Sequence, residues 1–233
     1  MNNFTLRIKI QERLNKLASS DYDNIECWQI AEAFNKAQLE WVRRQLHGGN
    51  LYKEGDEQST RRIDDLQILL TSTPLNGNKK QGFFESRNLP ADYLQYKRVS
   101  FKGSSDCCEA RPFIVYLAEE ADIDTLLRDY NTKPSFEWAE TFCTMVGNRV
   151  RIYTNDEFVV ENPSLMYYRM PRPVQFIGCS DVATGTVFTA DQTCEFKDDV
   201  AEAIVDDACA ILAGDIESMI QIQRNTQNAE RNN

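Results

Sequence analysis

The sequence holds a single histidine, His47, in 233 residues. Chemistry that needs an imidazole as base, proton shuttle or metal ligand therefore has one possible seat. His47 stands at the end of a helical pattern beside Gly48, where it reads as a helix-end residue. Zinc sites want paired Cys or His at short spacing, and no such pair is present. The seven cysteines are Cys27, Cys107, Cys108, Cys143, Cys179, Cys194 and Cys209. Their number is odd, none forms a CxxC, and Cys27 and Cys209 fall in helical patterns. These features predict reduced, buried thiols rather than a disulfide framework. The vicinal pair Cys107-Cys108 carries no assigned role.

Phosphate-cradling and nucleophile motifs are missing as well. There is no GxxxxGK[ST] loop, no GxGxxG opening a helix and no GxSxG elbow. No apolar run approaches the roughly 20 residues of a membrane-spanning helix. The opening MNNFTLRIKIQERLNKL has mixed charge and no apolar h-region, which sets the expectation of a protein made in a cytoplasm without a membrane partner. The expected sets of catalytic, cofactor-binding and metal-binding residues are all empty, and an enzyme is not expected.

What is present is an ordinary globular composition, 42% hydrophobic and 27% charged. A chain this long buries roughly 70–75% of its unfolded surface without disulfide or metal staples. The net charge of −10 is unevenly spread. Residues 1–50 are near neutral, whereas residues 195–217 carry eight acids against one base, Lys197. Such a chain lacks the clustered cations that phosphate binding requires, so it would meet DNA only as a repelling wall. The plainer meaning of the acidic run is a solvated helix face.

Helical periodicity is clear in two long segments. Ile30, Phe34, Ala37 and Trp41 form one stripe of a helix over residues 25–46, capped by Asp23 or Asn24 and stopped by Gly48-Gly49. Leu6, Ile10, Leu14 and Leu17 form a shorter stripe before it, and Ser19-Ser20-Asp21 joins the two as a hairpin. Ala201, Val205, Ala208, Leu212, Ile216 and Met219 mark a C-terminal helix, with Glu195, Asp198 and Asp199 favoured by its dipole. Gly214 in that helix marks a bend or close helix contact. A third short helix is expected at STRRIDDLQILL, capped by Ser59 or Thr60, with Ile63, Leu66 and Leu70 on one side. The final QRNTQNAERNN has no apolar stripe and orders only on a partner.

Between these helices, residues 72–82 have a loop composition and are followed by short alternating runs: YKRVSF, PFIVYLA, NRVRIYT and FVVEN. Asn155-Asp156 predicts a hairpin over residues 149–160. LMYYRMPRPVQF reads as extended, with Pro171 and Pro173 confining it to an edge or boundary. The expected class is α+β: a helical base with an inserted β-rich lobe. The base comprises residues 1–82 and a C-terminal helix over 191–223, the lobe spans 83–190, and a polar tail fills 224–233.

Three sets of residues invite a functional reading. The carboxylate pairs Asp64-Asp65, Asp198-Asp199 and Asp206-Asp207 could be imagined as catalytic or metal-binding. Neighbours on a helix point about 100° apart, so solvated faces explain them better. Arg43, Arg44, Arg61 and Arg62 form two basic patches, read either as recognition of an acidic neighbouring subunit or as compensation of a helix dipole. Trp28, Trp41 and Trp138 are expected in the core.

The segments ECWQIAEAFNKAQLEWVRRQL, KEGDEQSTRRIDDLQILL, LPADYLQYKRVSF, DIDTLLRDYNTKPSFEWAETF, RIYTNDEF and CEFKDDVAEAIVDDACAILAGDIESMIQIQRNTQNAERNN together resemble a ring protein of crAss-like bacteriophages. The likeness runs over nearly the whole chain, and its C-terminal segment is the most specific part. It implies a structural subunit of the virion head-to-tail connector, assembling as a homo-oligomer, in this family a dodecamer. Such a ring joins the portal protein to other connector or tail ring proteins, and DNA passes through it without sequence-specific binding. The resemblance further implies portal docking through Met219, Ile220, Gln221, Ile222, Gln223, Arg224 and Asn225. It places the protein in the virion, and in the host cytoplasm during assembly. Charge segregation alone would equally suit a cytoplasmic regulatory or scaffolding module that binds one protein partner. A metal-dependent hydrolase built on scattered carboxylates is the least supported reading.

Overall fold

The computed structural model describes residues 1–15, 25–47, 49–50, 53–54, 64–105, 108–181 and 184–215. The chain is a mixed α+β protein that divides into two compact units, Met1–Ile68 with Pro171–Asn233, and Leu69–Met170.

The first unit is organised by three helices: α1 (Asn3–Asn15), α2 (Cys27–His47) and α4 (Asp198–Asp215). The stripe spacing that makes α2 amphipathic also puts Ile30, Phe34, Ala37 and Trp41 into the core. Leu6, Ile10 and Leu14 of α1 are likewise fully buried, as are Ala201, Val205 and Ala208 of α4. The edge of the Trp41 ring meets Phe196 just ahead of α4, centroids 5.3 Å apart. A short ribbon of β1 (Gly49–Asn50) and β2 (Lys53–Glu54) follows α2.

Residues 171–197 have little regular structure, so their backbone groups need other partners. Side chains of the helices supply them. Gln38 donates to the Arg172 carbonyl at 2.9 Å. Asn35 accepts from the Val174 N–H at 2.7 Å and donates to its carbonyl at 3.1 Å. Asn3 donates to the Gln175 carbonyl at 2.7 Å. A disulfide joins Cys27 at the start of α2 to Cys179, 152 positions later. This corrects the expectation that all the thiols are reduced. The pinned segment brings two α-carbons with no sequence proximity to 6.0 Å, within disulfide reach.

The second unit contains two sheets. One has the order β4 (Gly77–Lys80), β5 (Phe83–Ser86), β10 (Arg149–Tyr153), β9 (Glu140–Val146), β8 (Ile114–Leu117). The other runs β3 (Leu70–Pro74), β11 (Val159–Arg169), β6 (Tyr93–Ser105), β7 (Cys108–Pro112). Residues of both sheets meet in one core that includes Phe84, Ile152 and Cys143 from the first and Val99, Phe101 and Leu165 from the second. Phe113 lies 4.4 Å from Phe158 and 5.0 Å from Phe101, ring to ring. Gly103 makes this possible, because a β-carbon there would fall 2.3 Å from the Phe113 ring. All pairings are antiparallel except β8 with β9. A parallel pair needs a long crossover, and residues 118–139 provide it, including helix α3 (Ile123–Arg128).

Several local expectations change. Residues 72–82 are not a loop: β3 pairs with β11 and β4 with β5. Polar composition hid two strands, β3, whose partner lies far along the chain, and β4, which forms a tight hairpin with β5. The structure therefore has its first long strands at residue 70, ahead of the boundary expected at residue 83, while residues 171–190 belong with the helical unit. Residues 149–160 are not a hairpin, since β10 pairs with β5 and β9 while β11 joins the other sheet. Asn155 and Asp156, both with positive φ, carry the chain from one sheet to the other instead of reversing it. Of the third short helix, residues 59–63 lie outside the described residues, residues 64–66 are helical, and a 3-10 turn at Gln67–Leu69 leads into β3 at Leu70. LMYYRMPRPVQF contributes the end of β11, an inner strand, and the two prolines follow it. The caps Asp23, Asn24, Ser59 and Thr60, the linker Ser19–Asp21 and the stop at Gly48 lie outside the described residues.

Candidate functional site

Asp198 and Asp199 at the start of α4 are exposed, as expected of a solvated face, but Asp206 and Asp207 are not. Asp206 is 5% exposed and Asp207 9%. Burial raises a carboxyl's pKa unless a cation compensates, and cations converge here from the other two helices. Arg13 of α1 reaches Asp206 at 3.0 Å and Glu202 at 2.7 Å, and Lys9 also binds Glu202. Arg44 of α2 binds Asp207. Burial pushes the Asp207 carboxyl up to about 6, with Arg44 pulling the other way. Glu202, Asp206 and Asp207 are thus compensated within their own unit. The acidic partner that Arg44 meets is the chain's own helix, while Arg43 is exposed. Arg61 and Arg62 lie outside the described residues, as do Met219, Ile220, Gln221, Ile222, Gln223, Arg224 and Asn225. Asp198 accepts the N-terminal amine, and Lys197 bonds both Asp64 and Asp65.

The buried thiols Cys143, Cys194 and Cys209 offer no reactive centre, whereas Cys108 is exposed. Burial pushes Cys143 up to about 11 and Cys209 up to about 12, and raises Cys194 too. Thiols held so high are protonated near neutrality and are poor nucleophiles. Among the described residues no group of three His, Cys, Asp or Glu side chains could hold a metal ion. No helix among them is long and apolar enough to cross a membrane.

A large concavity lined by aromatic side chains belongs to the second unit, at the β8 end of its five-stranded sheet. A groove of about 690 Å³ is walled by Tyr116, Leu117, Leu126, Tyr130, Trp138 and Phe142, among others. Lys133 stacks over Tyr130, 5.1 Å from the ring centroid, and lies 3.7 Å from Glu157. Glu157 also accepts from the Phe136 N–H at 3.4 Å. These contacts hold the crossover in shape without assembling a nucleophile beside a base. Ile114, Tyr116, Leu117, Tyr130 and Trp138 are each more than half exposed. Clustered apolar exposure on one sheet edge is a mark of protein recognition. Trp138, expected in the core, is 73% exposed, whereas Trp41 is buried as expected. The run Ile114-Val115-Tyr116-Leu117 carried the signal: four consecutive apolar residues in a strand ask for cover on both sides.

Across β4, β5 and β10 of the same sheet, Lys80, Arg149 and Arg151 gather around the buried Glu85, the latter two at 3.4 and 3.1 Å. Arg151 also reaches Glu120 at 2.9 Å. No protein-family model matches the chain, and no curated protein matches it.

Proposed function

We propose that the protein is a structural subunit of a bacteriophage head-to-tail connector: a ring that joins the portal to the tail and extends the DNA channel. The observation that carries this reading is the exposed apolar edge formed by Ile114, Tyr116 and Leu117 with Tyr130 and Trp138. Such an edge suits a protein that acts by binding other proteins, and the chain-long resemblance says which proteins. In this reading the three helices form a base that carries the β-rich lobe. The polar residues after α4 reach the portal through Met219, Ile220, Gln221, Ile222, Gln223, Arg224 and Asn225. A ring of twelve copies presents a net negative surface to DNA, over which the duplex slides because counterion-releasing contacts are few. Neutralisation of Glu202, Asp206 and Asp207 inside the chain moves that duty to other acids.

The test mixes the purified full-length chain with its portal and images the product by electron microscopy, beside a chain lacking residues 221–233. Twelvefold rings on the portal with the full chain, and none with the shortened one, are expected. Unchanged portal binding by the shortened chain would remove the docking assignment. A lone monomer that ignores the portal would return the protein to the regulatory-module reading.

A further inference from the structure

The two free edges of the five-stranded sheet differ in a way that suits them to each other. β8 is an edge strand of four residues, Ile114–Leu117, without a single charge. Soluble proteins protect edges with charges, prolines or bulges, and β8 has none of these. Ile114 and Ala118 direct their N–H groups to β9, at 2.8 Å to Ala139 and 2.9 Å to Cys143. Strand alternation therefore turns the N–H groups of Val115 and Leu117 outward. Directly after β8 come Glu119, Glu120, Asp122 and Asp124, all exposed and with no base among them. The other edge, β4, is also four residues long, Gly77–Lys80, and carries Lys79 and Lys80, both exposed, with no acid.

We infer that β8 of one copy pairs with β4 of the next, so that the sheet continues across the subunit boundary. This rests on the ring reading and specifies its subunit interface. Following the strand directions through the sheet, β4 runs opposite to β8. Copies related by a ring rotation would then bring β4 to β8 in the antiparallel sense, four residues against four. Glu119, Asp122 and Asp124 approach Lys79, while Glu120 and Lys80 stay paired with Arg151 and Glu85 of their own copies, and the exposed faces of Ile114 and Tyr116 are covered. The edges are distinct and lie on opposite sides of one sheet, so the contact is heterologous and repeats head to tail, as a ring requires. This interface does not involve Arg43 and Arg44 of α2.

A photo-crosslinking residue placed at position 116 in the full chain, assembled on its portal, reads the contact directly. Adducts between copies are expected on the peptide that contains residues 77–80. Lys79→Glu should lower ring yield at least tenfold, and Lys79→Glu combined with Glu119→Lys should recover most of it. Both positions are exposed, and circular dichroism confirms that each variant is folded. Rings whose crosslinks map elsewhere, or that form equally well with Lys79→Glu, overturn the interface and leave the ring standing. Failure of the unsubstituted chain to form any ring overturns both.

Discussion

The two units reach order by different physics. In the helical unit, polar groups enter the interior: Gln38, Asn35 and Asn3 bind backbone carbonyls or amides of the irregular stretch 171–197, and Arg13 and Arg44 neutralise Asp206 and Asp207. Each such bond adds only about 1 kcal/mol net, but leaving its buried partner unpaired costs about 1–3 kcal/mol. In the sheet unit the backbone is satisfied by ladders and the interior is mainly aromatic and aliphatic, with the buried carboxylate of Glu85 held among Lys80, Arg149 and Arg151. The first unit is thus specified by which polar groups meet, the second by how its rings fit. Removing one residue should hurt each unit through a different route.

The largest effect is expected in the sheet unit. Phe158 is almost fully buried and stacks with both Phe101 and Phe113. Phe158→Ala should cost about 3–5 kcal/mol through lost burial and the cavity left behind. Denaturant unfolding followed by far-ultraviolet circular dichroism, sensitive to the strands, measures it. A cost below about 1 kcal/mol would mean that the core closes over the gap and that ring fit does not specify this unit.

Next in size is the Cys27–Cys179 bond, which tethers the irregular stretch to α2. Cys27→Ser, or reduction of the native chain, should lower stability by about 2–4 kcal/mol. The emission of Trp41, buried against Phe196, reports this unit, while exposed Trp138 shifts little on unfolding. Two extra free thiols in the purified protein, with no response to reductant, would show that the polar contacts alone hold the stretch.

What could be read from the residues tracks the same divide. The stripes of α1, α2 and α4 were legible because helix periodicity is local: Ile30, Phe34 and Trp41, or Ala201, Val205 and Ala208, declare one face within a few turns. Val150 and Ile152 likewise announced β10. Strand partners were not legible, because pairing is decided by residues far along the chain. That holds for β3, whose partner is β11, and for β10, which pairs with β5 and β9 and not with β11. β4 is hidden only by its polar composition, since its partner β5 follows at once. The aromatic groove escaped notice because Tyr116, Tyr130 and Trp138 are scattered along the crossover and look like core residues one at a time. Asp206 and Asp207 misled for a related reason, since their cations come from α1 and α2, far away in sequence.

The smallest effect, and the most discriminating, is the response to pH. Burial raises the folded-state pKa of Asp207 to about 6 from an ordinary 3.8. The folded state then binds this proton more tightly than the unfolded chain does. Stability associated with Asp207 is therefore fully present below about pH 4 and declines as pH rises to about 6, by about 2–3 kcal/mol. Asp207→Asn should flatten that slope. Glu85 behaves in the opposite sense: the hydrogen bond from Lys80, followed by that from Arg151, holds its carboxyl below the ordinary 4.5. Its contribution is present above that value and is lost as pH falls through the lowered pKa, so Glu85→Gln should blunt the loss at the acid end. Titrating the unfolding free energy of the native chain and these two variants from pH 3 to pH 7 separates the two units by sign. If Asp207→Asn left the slope between pH 4 and 6 unchanged, the ion pair with Arg44 would be offsetting the whole cost of burial. The helical unit would then resemble the sheet unit, where the cations around Glu85 more than offset its burial.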